Sequence, residues 1–244
     1  MDDRAFFDAV RAKPFGGSIS ASAVDGINAI LPAFQKYGDG DVRKLAYILG
    51  TAFHESARFK TMEEYASGRA YEGRKDLGNT VNGDGVRFKG RGFVQLTGRA
   101  NYQDWSRRLG MDLIKEPQIV TRRDIAARIL VQGMMLGTFT GKGLPDYIGT
   151  TRADYRSARR VVNGMDRSHL IAGYAEAFEA ALRAAGYGKA PHVPKPTPAP
   201  TPTKPKNTVE RPPVSQPKRG LPWIGIAIGL LVVGGAAAAI ILGA

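Results

Sequence analysis

The sequence predicts a mainly α-helical soluble domain over residues 1–188, a Pro/Lys-rich linker over 189–220 and a transmembrane helix over 221–244. Three observations carry this division. Apolar residues recur at helical spacing behind capping residues in the first part, ten of the fifteen prolines fall in 189–220, and no charged side chain occurs from Leu221 to Ala244.

A first helix is expected over Asp2 to Ala12, ended by Pro14 and the Gly16-Gly17 pair, and a second runs from Ser20 to Tyr37. A third spans Asp41 to Arg58 with Asp41 as N-cap, and its Val42, Leu45, Leu49 and Ala52 repeat as one apolar stripe facing a core. Glu55 lies three residues after Ala52, at the edge of that stripe. Half-desolvated there, a carboxylic acid would have its pKa raised and serve as a proton donor, unless it is a surface glutamate on the last turn. From Tyr65 to Arg91 the chain is rich in Gly, Asn and charges, with turn signals at Asn82-Gly83 and Asp84-Gly85. Short hairpins or loops lining a cleft are expected, and long loops in compact domains are usually functional. In Phe93-Val94-Gln95-Leu96-Thr97 strand alternation would put Phe93, Gln95 and Thr97 on one face, toward the cleft. Further helices are expected over Tyr102 to Leu109, Asp124 to Leu136 and His169 to Ala185.

The linker, with stretches such as KAPHVPKPTPAPTPTKPK, should populate extended polyproline conformations as a semi-rigid spacer. It holds seven Lys/Arg against one Glu, so of the net +13 about half belongs to it and +7 to residues 1–188. The run LPWIGIAIGLLVVGGAAAAIILGA is close to the ~20 residues that cross a bilayer. Trp223 suits the interface, and Gly225 and Gly229 form a G-x-x-x-G step that would allow helix association. Lys218 and Arg219 precede the span, so the positive-inside rule places the large domain in the cytoplasm. The acidic opening MDDRAFFDAV is not followed by an apolar h-region, so no secretory signal peptide is expected.

Basicity points to an anionic partner, whether nucleic acid, membrane surface or acidic polymer. The absence of cysteine excludes disulfides, thiol nucleophiles and Cys-ligated metals, and His54, His169 and His192 are too few for most zinc centres. Catalysis is therefore expected from carboxylates or hydroxyls, with no metal and no cofactor. HESAR at 54–58 lacks the second imidazole of a zinc-protease motif because Arg58 stands there, and GTFTGKG at 137–143 is not a P-loop, since Gly143 replaces the hydroxyl that would bind magnesium. Basic residues are interleaved with acids and form no recognition helix, so nucleic acid is not the expected partner.

HESARFKTMEEY, then FKGRGFVQLTGRANY and later RRVVNG, together resemble the glycoside hydrolase family 19 catalytic domain, found in chitinases and bacteriophage endolysins within the lysozyme-like superfamily. The resemblance spans roughly residues 15–185 and implies an α+β, two-lobed helical fold around a cleft. It implies Glu55 as general acid and Glu64 as general base, with Glu63 adjacent and Glu72 a rival for the second role. It assigns Gln95, Asn101 and Asn163 to sugar hydrogen bonds and Thr97 to holding the nucleophilic water. The bland readings, a loop amide for Gln95 and an Asn-Gly turn for Asn163, stand beside these. Tyr71 is either a sugar-stacking ring or an exposed loop tyrosine, Arg91 either supports a catalytic glutamate or lies on the surface, and His54 is structural. An inverting glycosidase needs its carboxyls roughly 6.5–9.5 Å apart. Nine residues of straight helix would span about 13.5 Å, so the helix should stop near Phe59 and the chain bend back to Glu64.

Leu170 stands where the family usually has an arginine, which favours peptidoglycan over chitin as the expected polysaccharide, and a basic domain suits that acidic wall. The expected protein is thus a muralytic glycosidase of phage type, tethered to the host inner membrane and released by a holin or by membrane collapse. A virion-membrane protein, a lytic transglycosylase and an inactive wall-binding protein are the other readings.

Overall fold

A computed structural model describes residues 1–188 of the chain. The linker over 189–220 and the expected transmembrane helix over 221–244 lie outside the described residues. Among the described residues, no helix is long and apolar enough to cross a membrane.

Among the described residues seven α-helices carry the fold: α1 (Asp3–Ala12), α2 (Ala21–Tyr37), α3 (Val42–Glu55), α4 (Asp84–Arg87), α5 (Arg99–Leu109), α6 (Arg123–Leu136) and α7 (Ser168–Ala184). The first three begin as the capping residues predict. Asp2 accepts from the Ala5 N–H, Ser20 from Ala23 and Asp41 from Arg43, each satisfying a donor that has no partner inside its helix. The start of α5 has no side-chain cap of its own, since Gly98 precedes it in a conformation with φ 90°. Instead Asn79, fully buried and twenty residues upstream, accepts from the Arg99 N–H at 2.8 Å.

The apolar stripe expected on α3 understates its burial. Every residue from Lys44 to Phe53 is buried, because α7 covers one side of this helix while α2 and α6 approach the other. A helix enclosed on all sides needs apolar residues all round rather than on one stripe. Its one charged member in that run, Lys44, extends its ammonium to Asp39, so the stem is buried and the charge remains paired. α1 packs on α7 and α2 on α6. The expected two lobes share one continuous core, with Phe6, Ile27, Phe34, Leu49, Trp105, Leu130 and Phe178 all within it.

Of the hairpins or loops expected after α3, loops are found. Among the described residues there is no hairpin strand: the region between α3 and α5 carries 3-10 turns over Arg69–Tyr71 and Lys75–Leu77, and only isolated bridges, Glu63 with Arg91 and Arg91 with Leu96. Side chains take the place of a ladder. Asp84 accepts from the Thr80 and Val81 N–H groups, and Glu72 from those of Gly83 and Gly85, so the loop's backbone donors are met without strand pairing. The Phe93–Thr97 alternation also fails, because Phe93, Val94, Gln95 and Leu96 are all buried and Gln95 has φ 55°, a left-handed turn conformation with no strand period.

Helix α3 meets α7 at close range. A methyl on Gly50 would stand 2.9 Å from the Ala175 backbone nitrogen and 3.3 Å from its Cα, positions that no rotamer change can relieve. Gly50→Ala should therefore force the two helices apart and destabilise the domain by about 2 kcal/mol, within the usual range for overpacking. Urea unfolding of the two proteins measures this, and equal midpoints would show that the α3–α7 spacing is not set at Gly50.

Candidate functional site

The site is built where α3 ends. Glu55 is the last residue of that helix, and Ser56 caps it, donating from Oγ to the Ala52 carbonyl at 2.5 Å and accepting from the Phe59 N–H at 3.2 Å. Ala57, Arg58 and Phe59 then follow with φ of 50°, 63° and 64°. Three consecutive left-handed non-glycine residues are unfavourable, at roughly 1–2 kcal/mol each, and persist only where surrounding contacts hold them. Those contacts are present: Phe59 is 2% exposed between Phe15, Phe53 and Phe93, and the Arg58 guanidinium lies over the Phe15 and Phe53 rings while donating to the Phe15 carbonyl. The helix thus ends three residues earlier than expected, and a left-handed turn follows it.

Past the bend, the Glu64 N–H donates to the Gly90 carbonyl at 2.9 Å, which lays residues 62–64 alongside 90–92. The Glu64 carboxylate is held at both oxygens. Tyr71 donates its hydroxyl to Oε1 at 2.7 Å, and the Gly90 N–H donates to Oε2 at 3.2 Å. Tyr71 is 4% exposed, so the expectations of a sugar-stacking ring and of an exposed loop tyrosine are both corrected: the ring is buried and its hydroxyl is bonded to Glu64. Burial, and then the bond to Glu64, push the Tyr71 hydroxyl well above its ordinary pKa, so it remains a proton-bearing donor at any physiological pH.

The rivals for the second carboxylate have other occupations. Burial tends to raise the pKa of Glu63, but hydrogen bonds and charge from Lys89 and Arg91 outweigh it and hold the carboxyl below its ordinary value. Both cations approach Glu63 Oε1 at 3.1 Å. Arg91 is neither a surface residue nor a partner of the expected acid and base; it is 8% exposed and also donates to the Arg87 carbonyl and the Tyr102 hydroxyl. Glu72 is taken up by the two loop amides described above.

On the other side, Glu55 is 15% exposed at its side chain and accepts from Arg159 Nη1 at 2.6 Å. The apolar edge expected around Glu55 is thus replaced by a charged partner. Arg159 is 3% exposed and also faces Asp166, whose carboxylate lies 3.7 Å away and whose backbone carbonyl accepts from Nε. It comes from the RRVVNG motif, 104 residues downstream of Glu55, and residue spacing carries no signal of the contact. His54 packs against the Tyr174 ring, and burial lowers its pKa, so the imidazole is neutral at neutral pH and structural.

Thr97 and Gln95 meet Glu64 above Gly90. A methyl on Gly90 would lie 2.9 Å from Gln95 Oε1 and 3.3 Å from both Glu64 Oε2 and Thr97 Oγ1. Asn101, expected to bind sugar, donates from Nδ2 to the Thr97 carbonyl at 2.7 Å and so holds Thr97 in place. Asn163, half-buried beside Arg159, accepts on Oδ1 from the Gly164 N–H at 2.8 Å, the geometry of an Asn-Gly turn. The structure thus bonds Tyr71 to Glu64, and Thr97 to Gln95 and Asn101, sets these two groups side by side over Gly90, and places Arg159, with Asn163 next to it, on Glu55.

No sequence-family model matches the chain. A protein of Haemophilus influenzae named a glycosyl hydrolase family 19 domain-containing protein is 35% identical over 63 residues, which are 26% of this chain and 30% of that protein. The matched stretch thus spans less than a third of that relative. Among solved structures, chitinase C from Streptomyces griseus superposes with a TM-score of 0.52 at 20% identity, covering 75% of this chain and 91% of that one. A bacterial family 19 chitinase gives a TM-score of 0.49 at 17% identity, covering 75% of this chain and 93% of its own. The chain thus resembles a protein named for glycosyl hydrolase family 19 locally in sequence, and chitinase C in fold.

The loop that carries the site depends on Asp84. Its side chain is 1% exposed and holds Arg99 at 2.5 and 2.8 Å in addition to the Thr80 and Val81 amides. The Arg99 hydrogen bond, foremost, depresses its pKa below the ordinary 3.8. A carboxylate depressed in the folded state contributes stability that is complete above its unfolded pKa and is lost as pH falls through the lower folded one. Asp84→Asn should cost about 3 kcal/mol at pH 7 and much less at pH 3. Urea unfolding monitored by circular dichroism at the two pH values tests this, and an equal loss at both would mean that Asp84 acts through shape and not through charge.

Proposed function

We propose that the chain is a glycoside hydrolase that cleaves β-1,4 bonds between N-acetylated sugars with inversion, Glu55 acting as acid and Glu64 as base. One observation carries the reading: the Glu64 carboxylate, fixed by Tyr71 and Gly90, lies with Gln95 and Thr97 over Gly90, past a strained left-handed turn that follows Glu55. The local match to a protein named for glycosyl hydrolase family 19, and the fold likeness to a chitinase, support hydrolysis of a glycosidic bond.

In this mechanism Glu55 gives its proton to the glycosidic oxygen as the bond from that oxygen to the anomeric carbon breaks. A water oxygen forms the new bond to that carbon from the opposite face, and the proton it sheds passes to Glu64. Arg159, 2.6 Å from Glu55, stabilises the carboxylate that remains once the proton has gone. Asn163, on the Arg159 side, is in place to hold a sugar.

Peptidoglycan is the substrate this reading favours. The domain carries +7 over residues 1–188, and Leu170, 42% exposed, offers no charge where the family usually has an arginine. The uncharged run over 221–244 and the basic Lys218-Arg219 pair support a membrane tether with the domain on the cytoplasmic side, consistent with an endolysin released by a holin or by membrane collapse. Chitin is the second reading, favoured by the fold likeness to a chitinase.

The test incubates the full-length protein in detergent with purified peptidoglycan and with chitin oligosaccharides and identifies products by mass spectrometry. Wild type should yield reducing-end muropeptides. Glu55→Gln and Glu64→Gln should each lower the rate by about 10²–10⁴. Anhydro sugars would instead mean a transglycosylase, products from chitin alone would replace the substrate, and silence on both polymers would overturn the enzymatic reading.

A further inference from the structure

The Glu55 carboxylate is held by one arginine, and two more stand beside that contact without a carboxylate of their own. Ser157–Val161 form a 3-10 turn, in which successive side chains point about 120° apart. Arg159 accordingly points inward to Glu55, while Arg160 points outward and is exposed. Arg160 Nη1 donates to Met165 Sδ at 3.2 Å, which lays its guanidinium on the loop over residues 163–167. Arg159 grips the same loop at Asp166, donating from Nε to the backbone carbonyl at 3.2 Å and facing the carboxylate at 3.7 Å. The two sequence neighbours of Asp166 are Met165, under Arg160, and Arg167, which is exposed and has a left-handed φ of 58°. Such backbone is uncommon outside glycine and collects at functional sites. Burial first, and then the charges of Arg159 and Arg167, hold the His54 imidazole below its ordinary pKa against the opposing pull of Glu55. Arg167 therefore lies within electrostatic reach of the residue that precedes the acid. Among the described residues neither Arg160 nor Arg167 forms an ion pair, whereas Arg152, earlier in the segment, is paired with Asp154.

Three guanidiniums gathered round one short loop repel one another, and the single carboxylate of that loop, Asp166, faces the buried one. A ligand that relieves the repulsion must bring negative charge, and sugar hydroxyls and acetamides bring none. A guanidinium fork matches a carboxylate at two points, and both side chains are exposed, so a ligand reaches them without displacing protein. We infer that Arg160 and Arg167 form an anion-binding rim beside Glu55 that takes the carboxylates of the peptide stems carried by peptidoglycan. This rests on the glycosidase reading above and deepens it by naming what separates the wall polymer from chitin at this site. Stems occur only on alternate sugars of a peptidoglycan strand. A stem held beside Glu55 thus also sets the register of the strand, and with it which of the two kinds of β-1,4 bond meets the acid.

The experiment measures binding of the full-length protein, in neutral detergent, to two insoluble polymers by sedimentation. One is peptidoglycan freed of phosphate polymers, and the other is the same material with its carboxyls converted to amides. Arg160→Gln combined with Arg167→Gln should weaken binding to native peptidoglycan about tenfold and leave binding to the amidated form within about twofold of wild type. Arg107→Gln combined with Arg122→Gln removes the same charge from exposed side chains on α5 and at the start of α6, and should leave both affinities within about twofold. An equal loss in that second pair would mean that net charge alone draws the protein to the wall, and it overturns the rim. So does an equal loss on the amidated polymer, unchanged binding of the Arg160 and Arg167 pair to native peptidoglycan, or a wild type that does not bind native peptidoglycan. Turnover adds a second readout: on native strands the Arg160 and Arg167 pair should raise KM about tenfold with kcat within about twofold of wild type. If wild type cleaves neither peptidoglycan nor chitin, the glycosidase reading fails while sedimentation still decides the rim.

Discussion

The site depends on one constraint, that α3 must stop at Glu55 and cannot move once it has. Lys44 to Phe53 are buried without interruption, so the helix cannot slide or rotate without opening the core on several sides. Leu45, Ile48 and Leu49 are each fully buried, and truncation of such a residue typically costs 2–5 kcal/mol. That burial holds the left-handed run Ala57–Phe59, whose last ring is inserted among Phe15, Phe53 and Phe93. Strain in the bend and packing beneath it are two sides of one arrangement, and Glu55 is the residue at which they meet.

The opposite wall is organised differently. Between α3 and α5 few backbone groups pair with one another across the chain, and the geometry is set by side chains reaching the backbone. Asn79 joins the Tyr71 carbonyl to the start of α5, Glu72 gathers Gly83 and Gly85, and Asp84 gathers Thr80, Val81 and Arg99. Tyr71 sits on this lattice and passes its position to Glu64. Buried polar networks of this kind are stable when every member is satisfied and costly when one is lost. Glu64 is therefore placed by hydrogen bonds and Glu55 by packing.

Much of the helical scaffold was legible because its signals are local. Asp2, Ser20 and Asp41 begin helices for reasons contained within three residues of each, and α5, α6 and α7 start within three residues of where apolar spacing put them. The loop was legible in its composition and not in its shape, since the turn signals at Asn82-Gly83 and Asp84-Gly85 are equally compatible with hairpins and with the side-chain lattice present. Alternation misled at Phe93–Thr97, where a period of two arises in a tight turn whose residues are nearly all buried. Of the site, the motif pointed to Glu64 with Glu63 and Glu72 as rivals, but Tyr71 as its hydrogen-bond donor and Arg159 as the partner of Glu55 could not be read from it. Those contacts join residues 7 and 104 positions apart through tertiary packing that no spacing rule encodes.

The two carboxylates are treated by opposite electrostatic means, and this bears on their roles. Glu64 receives its hydrogen bonds from a tyrosine hydroxyl and a backbone amide, neutral donors that orient it without cancelling its charge. Its neighbour Glu63 takes up the cations Lys89 and Arg91 that would otherwise stand against it. Glu55 faces a full guanidinium instead, but one shared with Asp166, so the positive charge at hand is divided between two acids. A base must keep a negative charge ready for a proton, and an acid must be left stable after losing one. In the proposed mechanism neutral donors suit the base, and the shared guanidinium stabilises the carboxylate left by the acid. Two chemically identical side chains thus keep different company, Glu64 beside neutral donors and Glu55 beside a guanidinium that also faces Asp166.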